Sequence, residues 1–170
     1  MLRPKVFRDD RGFFFEAWNK TEVESLLGID DDFVQDNHSS STRDVLRGLH
    51  YQVVRPQGKL VRVSAGSVFD VAVDLRRSSS NYRRWVGAEL SAENGWQMWV
   101  PPGFAHGFLT LSPRAEVQYK VTDYYVHQHD RSLRWDDPEI GIEWPQAEDE
   151  FVLSDKDRDA PFLVDADVFD

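Results

Sequence analysis

The chain has 170 residues, and with 41% hydrophobic and 29% charged side chains it can bury the core of a single domain spanning residues 1–170. Its 30 acidic and 20 basic residues give a formal net charge of −10, which argues against nucleic acid or an anionic membrane as a partner, because both attract positively charged surfaces. The sequence has no Cys, which excludes disulfides, thiolate metal sites and thiol nucleophiles and fits a reducing compartment.

The first ten residues, MLRPKVFRDD, carry early charges and no continuous apolar segment. This pattern is unlike a secretory signal peptide, so we expect a cytoplasmic protein. The longest uncharged run, residues 94–113, has about the length of a membrane span. It contains Pro101, Pro102, Gly103 and Gly107, which argue against a membrane helix.

One short helix is predicted before Gly28. Asn19 or Thr21 can cap its N-terminus, and Gly28 can end it. Its predicted apolar stripe consists of Val23, Leu26 and Leu27.

Most of the remaining chain is predicted to form strands separated by turn residues. The predicted strands are 12–18, 45–53, 59–63, 67–75, 85–90, 97–100, 107–111 and 116–125. Strands of this length and spacing, without repeats or linkers, indicate an all-β fold of the antiparallel jelly-roll kind with few short helices.

The C-terminal segment is acidic, while the rest of the chain is nearly neutral. Residues 136–170 carry 13 acidic and 2 basic side chains, whereas residues 1–135 carry 17 and 18. Apolar residues interrupt the acidic ones, so we expect the segment to dock against the domain with a solvated acidic face. The interrupting residues are Phe151, Val152, Leu153, Phe162, Leu163 and Val164.

Strand alternation predicts which polar side chains face the interior. Tyr119 shares a face with Val117 and Val121, so its phenol needs a hydrogen-bond partner inside. Lys59 alternates with valines, which places an ammonium group on an apolar face, where it requires a nearby anion. The direction of Arg47 stays open, because it points away from His50 unless Gly48 introduces a bulge.

The segment GWQMWVPPGFAH (95–106) resembles the second motif of the cupins, with Thr110 where that motif usually ends in Asn. Metal-binding cupins hold their ion with two His and a Glu of the first motif and the His of the second. In this chain the first-motif region contains one His, His50, followed by Gln52 and Lys59. An ammonium group repels a divalent ion and the ligand set is incomplete, so we expect no metal. The pair His127 and His129 is better explained as exposed loop residues.

Eight sequence blocks, in order and spanning nearly the whole chain, resemble the dTDP-4-dehydrorhamnose 3,5-epimerase family. They are DRGFFFE (10–16), FVQDNHS (33–39), LRGLHYQ (46–52), QGKLVRV (57–63), FDVAVD (69–74), GFAHGF (103–108), DDP with GIEWP (136–145), and LSDKD (153–157).

The resemblance implies a cupin-type barrel without metal or cofactor, assembled as a homodimer in which the N-terminal strand crosses to the partner barrel. It implies epimerisation of dTDP-4-dehydro-6-deoxyglucose on the route to dTDP-rhamnose. His50 would be the base, Tyr119 the acid and Lys59 the cation facing the 4-keto oxygen, with Asp157 orienting His50. The residues that would line the nucleotide-sugar site are Arg11, Glu16, Gln35, Asn37, Arg47, His106 and Lys156, together with Asp130 where the family commonly has Glu.

The chemistry explains why these residue types belong together. Carbons 3 and 5 both flank the ketone, so loss of a proton from either carbon gives an enolate on the same oxygen, which one buried cation can stabilise. Inversion requires a base and an acid on opposite faces of the ring; His50 titrates near neutrality, and Tyr119 can donate a proton. Arg11 and Arg47 suit a diphosphate.

Ordinary structural roles are the alternatives for these side chains. Tyr119 is then a core aromatic, Lys59 an interface ion pair and Asp70 a buried acceptor. At the level of function, the alternatives are a single-carbon epimerase or ketoisomerase acting on a related sugar, and a non-catalytic nucleotide-sugar-binding cupin. The retention of His50, Lys59 and Tyr119 argues against the last, because binding alone needs neither an acid nor a base.

Overall fold

A computed structural model describes residues 1–147 and 150–170, and in it two antiparallel sheets face each other. The strands are β1 (Phe7–Asp9), β2 (Gly12–Phe14), β3 (Gln35–Thr42), β4 (Leu46–Gln52), β5 (Lys59–Ala65), β6 (Ser67–Asp74), β7 (Trp85–Ser91), β8 (Gln97–Val100), β9 (Phe104–Thr110), β10 (Arg114–Val121) and β11 (Asp130–Ser132). The helices are α1 (Lys20–Leu27) and α2 (Asp155–Arg158), with 3-10 turns at His127–His129 and Leu163–Asp165.

The four-stranded sheet has the order β3-β10-β5-β8, and the five-stranded sheet has the order β11-β4-β9-β6-β7. Strands β1 and β2 form a separate hairpin. Antiparallel sheets with many non-consecutive neighbours confirm the predicted all-β, jelly-roll class.

The main core lies between the two sheets, because each strand turns every second side chain inward. Val61 and Val117 from the four-stranded sheet pack with Val68, Ala72 and Phe108 from the five-stranded sheet, and all are buried. Among the described residues, no helix is long and apolar enough to cross a membrane.

A second apolar cluster covers the outer face of the five-stranded sheet. Leu49, Val71 and Val73 project from that face and pack against Ile140 and Leu163 of the C-terminal segment. The predicted docking of this segment is therefore correct for Leu163 and wrong for Val152, Phe162 and Val164, which are exposed. Residues 148 and 149, two of its acidic positions, lie outside the described residues.

The helix prediction is confirmed at both ends and wrong for Leu26 of its apolar stripe. The side chain of Asn19 caps α1 by accepting a hydrogen bond from the Glu22 amide, and Gly28 ends it in a left-handed conformation. Val23 is buried and Leu27 is half-buried, but Leu26 is 71% exposed, so the stripe comprises two of the three predicted side chains.

The predicted strands differ from the observed ones mainly at their ends. The segment 12–18 forms a strand only to Phe14, β9 begins earlier, at Phe104, and β10 ends at Val121 rather than at Tyr125. Strand β3 escaped prediction because its sequence, QDNHSSST, is polar on both faces. Its alternate residues turn toward the interior all the same, where Gln35 and Asn37 line a cavity.

Candidate active site

A cavity of about 200 Å³ opens at one end of the space between the two sheets. Residues of both sheets, of the loop after β10 and of the α2 region line it. They are Gln35, Asn37, His50, Tyr51, Gln52, Gln57, Lys59, Tyr119, Tyr125, Asp130 and Lys156. Seven of the residues predicted for the site are in this set.

A bulge at Gly48 in β4 resolves the direction of Arg47. Arg47 pairs with Phe108 and His50 pairs with His106, so two residues of β4, Gly48 and Leu49, lie opposite one residue of β9. Since paired residues point to the same side, Arg47 and His50 both face the interior. A Cβ at Gly48 would lie 2.5 Å from Gly107 Cα, so this crossing requires glycine. The Arg47 guanidinium donates from Nε to Ser41 Oγ at 2.9 Å.

His50 and Asp157 form a short pair at the inner end of β4. The His50 Nε2 lies 2.5 Å from Asp157 Oδ1, and the carboxylate is nearly inaccessible. Burial lowers the pKa of His50 below its usual value, although Asp157 opposes this effect. Burial also disfavours ionisation of Asp157, but hydrogen bonds from His50 and Ser154 outweigh it and keep the pKa of Asp157 below its ordinary value. His50 is therefore a neutral imidazole near neutral pH, oriented by an ionised carboxylate.

Lys59 is a buried amine on the floor of the cavity. It is 6% exposed, and its Nζ donates to the His50 carbonyl at 3.1 Å. Burial lowers the pKa of Lys59 to about 8, although the charges of Asp130 and Asp70 favour the ammonium form. Lys59 thus remains a cation at neutral pH and is poorly solvated, which strengthens its attraction for an anion in the cavity.

Tyr119 reaches the cavity from the opposite sheet. It lies on β10, paired with Asn37 of β3 and with Val61 of β5, on the inward face that alternation predicts. Burial raises the pKa of Tyr119, while the charge of Arg47 opposes the rise. The phenol therefore keeps its proton and can donate it.

His106 and Asp70 form a second buried pair next to the cavity. Their side chains meet at 2.8 Å, from His106 Nε2 to Asp70 Oδ1. His106 packs beside Tyr119, with ring centroids 6.4 Å apart. Asp70 is thus a buried acceptor, as its alternation with Val68 and Ala72 suggested, and its partner is a residue predicted for the substrate site.

The rim of the cavity carries an ion pair in the place where the sequence departs from the family pattern. Lys156 Nζ donates to Asp130 Oδ2 at 2.5 Å, and the Tyr125 hydroxyl donates to the same oxygen at 3.2 Å. The shorter side chain at Asp130 still reaches the cavity wall, with Lys156 of α2 beside it.

Five predicted site residues do not line the cavity. Asp157, Arg47 and His106 lie beside it, whereas Arg11 and Glu16 lie apart from it. The Arg11 side chain is 90% exposed and pairs with Asp9, and Glu16 is exposed on the segment before α1. The exposed hairpin formed by β1 and β2 ends shortly before Glu16, so these two side chains are displayed away from the barrel interior.

Five residues that shape the site were not predicted from the sequence. Tyr51, Gln52, Gln57 and Tyr125 line the cavity, and Ser154 caps α2 and donates from Oγ to Asp157 Oδ2 at 2.8 Å. The spacing of Ser154 and Asp157 is that of a helix cap and could have revealed this contact. Tyr125 was hidden by the assumption that β10 continues to it.

The side chains around His50 do not make a metal ligand set. Gln52 stands two residues after His50 with its amide engaged by backbone groups, and Lys59 adds a positive charge. Within residues 1–147 and 150–170, no three His, Asp or Glu side chains are grouped as a metal would require. His127 is exposed, as expected, and His129 is half-buried.

Comparison with known proteins identifies the family to which this chain belongs. The model of the dTDP-4-dehydrorhamnose 3,5-epimerase family matches residues 1–165. This chain belongs to that family. It is therefore an epimerase, an enzyme of the isomerase class.

Relatives match over nearly their full length. The dTDP-4-dehydrorhamnose 3,5-epimerase of Pseudomonas aeruginosa is 56% identical over 99% of this chain and 93% of its own. The Legionella pneumophila dTDP-6-deoxy-D-glucose-3,5-epimerase, solved with dTDP-4-keto-L-rhamnose, has a TM-score of 0.94 and 52% identity over 97% of this chain and 87% of its own. A 3'-monoepimerase of Streptomyces bikiniensis, solved with dTDP-quinovose, has a TM-score of 0.87 and 32% identity. The match covers 95% of this chain and 81% of that protein.

Proposed function

We propose that this epimerase inverts carbons 3 and 5 of dTDP-4-dehydro-6-deoxy-D-glucose, giving dTDP-4-dehydro-L-rhamnose, without a cofactor or metal. The observation that carries the proposal is the opposition of two proton-transfer groups across one cavity. His50, held by Asp157, comes from the five-stranded sheet, and Tyr119 comes from the four-stranded sheet. Inversion of a carbon needs proton removal on one face and delivery on the other.

The first step is removal of the proton from carbon 3 or carbon 5. The ionised Asp157 accepts a hydrogen bond from His50 Nε2–H, which leaves Nδ1 as the basic nitrogen. The electron pair of the broken C–H bond moves to the 4-keto oxygen and forms an enolate. The Lys59 ammonium stabilises that charge in a poorly solvated site.

The second step delivers a proton to the opposite face of the same carbon. The Tyr119 hydroxyl donates its proton to the enolate carbon, the ketone re-forms, and the electron pair on oxygen returns to carbon. His50 loses its acquired proton to solvent and Tyr119 regains one before the second carbon reacts. One enolate oxygen serves both carbons, so Lys59 acts in both inversions.

The remaining predicted residues suit the nucleotide sugar. Arg47 and Lys156 supply positive charge around the cavity, and the His106–Asp70 pair fixes an imidazole next to Tyr119. Arg11 and Glu16 complete the site in this proposal from the partner chain of a homodimer. Their exposure on the N-terminal hairpin, away from their own cavity, supports that arrangement.

A single-carbon epimerase is the second candidate, and the Streptomyces bikiniensis structure favours considering it. The identity of 32% to that protein against 52% to the Legionella pneumophila epimerase favours the double inversion.

Substrate incubated in heavy water with EDTA-treated enzyme tests the proposal. We expect deuterium at both carbons and the L-rhamno product. Label at one carbon would support the single-carbon epimerase. The absence of label would indicate a nucleotide-sugar-binding protein without catalytic activity.

We further propose that residues 1–170 form one domain with the acidic C-terminal segment as part of it, since Leu163 packs on the five-stranded sheet. A cytoplasmic location is proposed on the absence of Cys, which suits a reducing compartment.

A further inference from the structure

Three glutamine side chains hold the backbone of the segment that follows β10. Gln57 Nε2 donates to the Asp123 carbonyl at 2.7 Å, and Gln52 Nε2 donates to the Tyr124 carbonyl at 3.3 Å. The amide of Tyr125 donates to Gln35 Oε1 at 3.1 Å, and the amide of Val126 donates to Gln52 Oε1 at 2.6 Å. Four consecutive residues, 123 to 126, are thus each bound through the backbone to a glutamine amide.

The glutamines belong to the cavity wall rather than to the segment they hold. Gln35 is on β3, Gln52 on β4 and Gln57 on the loop before β5, and all three line the cavity. Gln52 is only 3% exposed, and its Nε2 also donates to the Arg55 carbonyl at 3.0 Å. A buried amide with both ends engaged is costly to remove, because its partners lose their hydrogen bonds.

The segment held in this way carries Tyr125 at the mouth of the cavity. It lies between the end of β10 and the 3-10 turn at His127–His129, so no sheet partner fixes its backbone. Tyr125 is half-exposed, lines the cavity and donates to Asp130. Its position therefore depends on the side chains that bind the neighbouring backbone.

We propose that Gln52 and Gln57, together with Gln35, are positioning residues of the epimerase that act through Tyr125. They hold residues 123–126 so that the Tyr125 ring forms one wall of the cavity mouth and its hydroxyl stays on Asp130. Gln52 stands in the region where metal-binding cupins place a second histidine, and here its amide serves this segment. The proposal rests on the proposed function, because the held ring contributes to substrate binding.

Loosening this segment should weaken substrate binding and leave the rate of the chemical step nearly unchanged. The base, acid and cation lie on strands β4, β10 and β5 and keep their places when the segment loosens. Gln57→Leu, which removes one hydrogen bond, should raise KM about tenfold and change kcat by less than about threefold. Gln52→Leu should raise KM further, and the exposed Gln128→Leu serves as the matched control with wild-type values.

Two measurements test the proposal. In a double-mutant cycle, Gln57→Leu and Gln52→Leu should raise KM much less in a Tyr125→Ala background, because the residue through which they act is gone. Without substrate, the backbone amides of Tyr125 and Val126 should exchange faster with heavy water in Gln52→Leu, while those within β10 stay protected.

Equal KM increases in both backgrounds would overturn the proposal, as would wild-type exchange at the two amides. If Gln52→Leu does not fold, the double-mutant cycle is measured with Gln57→Leu and Tyr125→Ala alone. Amide hydrogen exchange is then measured at Tyr124 and Tyr125 in Gln57→Leu. If the wild-type protein has no epimerase activity, the proposed function is wrong, and so is the proposed contribution of the Tyr125 ring to substrate binding. Wild-type activity with unchanged exchange in the variants would contradict the glutamine proposal alone.

Discussion

Burial adjusts the protonation of His50, Lys59 and Tyr119 toward their proposed tasks. It lowers the pKa of His50 and Lys59 and raises that of Tyr119. The result near neutral pH is a neutral base, a cation and a protonated phenol in one small space. Exposed to water, the same three groups would be less suited to these tasks, because solvent would screen the cation and solvate the imidazole.

The pH dependence of kcat/KM follows from these shifts. The His50 base works when neutral, and since its pKa lies below 6.5, activity should persist below pH 6.5 before it declines. The Lys59 cation is lost as pH rises through about 8, so the alkaline decline should begin there. In Lys59→Arg, which keeps its charge, the residual activity should lack the decline near pH 8. A decline that persists unchanged in this variant would assign it to another group.

Removal of the base should stop exchange at both carbons. His50→Asn keeps a polar side chain of similar size but cannot accept the proton, so solvent exchange should fall by about 10² to 10⁴ at carbons 3 and 5 alike. The exposed His38→Asn is the matched control and should exchange normally. Near-normal exchange in His50→Asn would place the base elsewhere.

Alternation predicts side-chain directions in the regular apolar strands, but neither the bulged part of β4 nor the polar strand β3 was predictable. Tyr119 and Lys59 face inward as alternation indicates, because β10 and β5 are regular where these residues lie. The direction of Arg47 was not predictable, since it depends on the bulge at Gly48, which forms through contact with β9. Strand β3 was invisible because residues lining a polar cavity carry no apolar period.

The bulge at Gly48 should be intolerant of any side chain. Its φ of 121° is strained for other residues, and a Cβ would also lie 2.8 Å from the His106 carbonyl oxygen. Gly48→Ala should therefore lower the free energy of unfolding by about 3 kcal/mol or more. Gly28→Ala, which has a positive φ but open space, should cost only about 1 to 2 kcal/mol. Equal losses in denaturant unfolding would show that the contact with β9 is unimportant.

The N-terminal hairpin is the part of the molecule whose exposed apolar side chains a single chain does not explain. Phe13 and Phe14 are 58% and 71% exposed, and no buried side chain comes from β1 or β2. The family resemblance predicts that this segment reaches a second barrel. Composition alone could not predict this contact, because the hairpin has the same apolar residues whether it is exposed or packs on a partner.

The active enzyme should therefore be a dimer in solution. Light scattering at working concentration should give twice the 19.7 kDa chain mass. Replacing Phe13 and Phe14 with Ser should shift the mass toward one chain and reduce activity together, because in the proposed dimer Arg11 and Glu16 complete the partner's site. An active species with the mass of one chain would contradict the shared site.

In the proposed mechanism two groups on opposite sheets share the proton transfers, and the variant Tyr119→Phe separates their roles. The variant keeps the ring and its packing and removes only the hydroxyl, so the fold should be retained. Deuterium uptake from solvent and formation of inverted product are measured on one sample. We predict continued uptake, since His50 can still remove a proton and return it to the same face, with little inverted product. Equal loss of both rates, or loss of neither, would contradict a dedicated donor opposite His50.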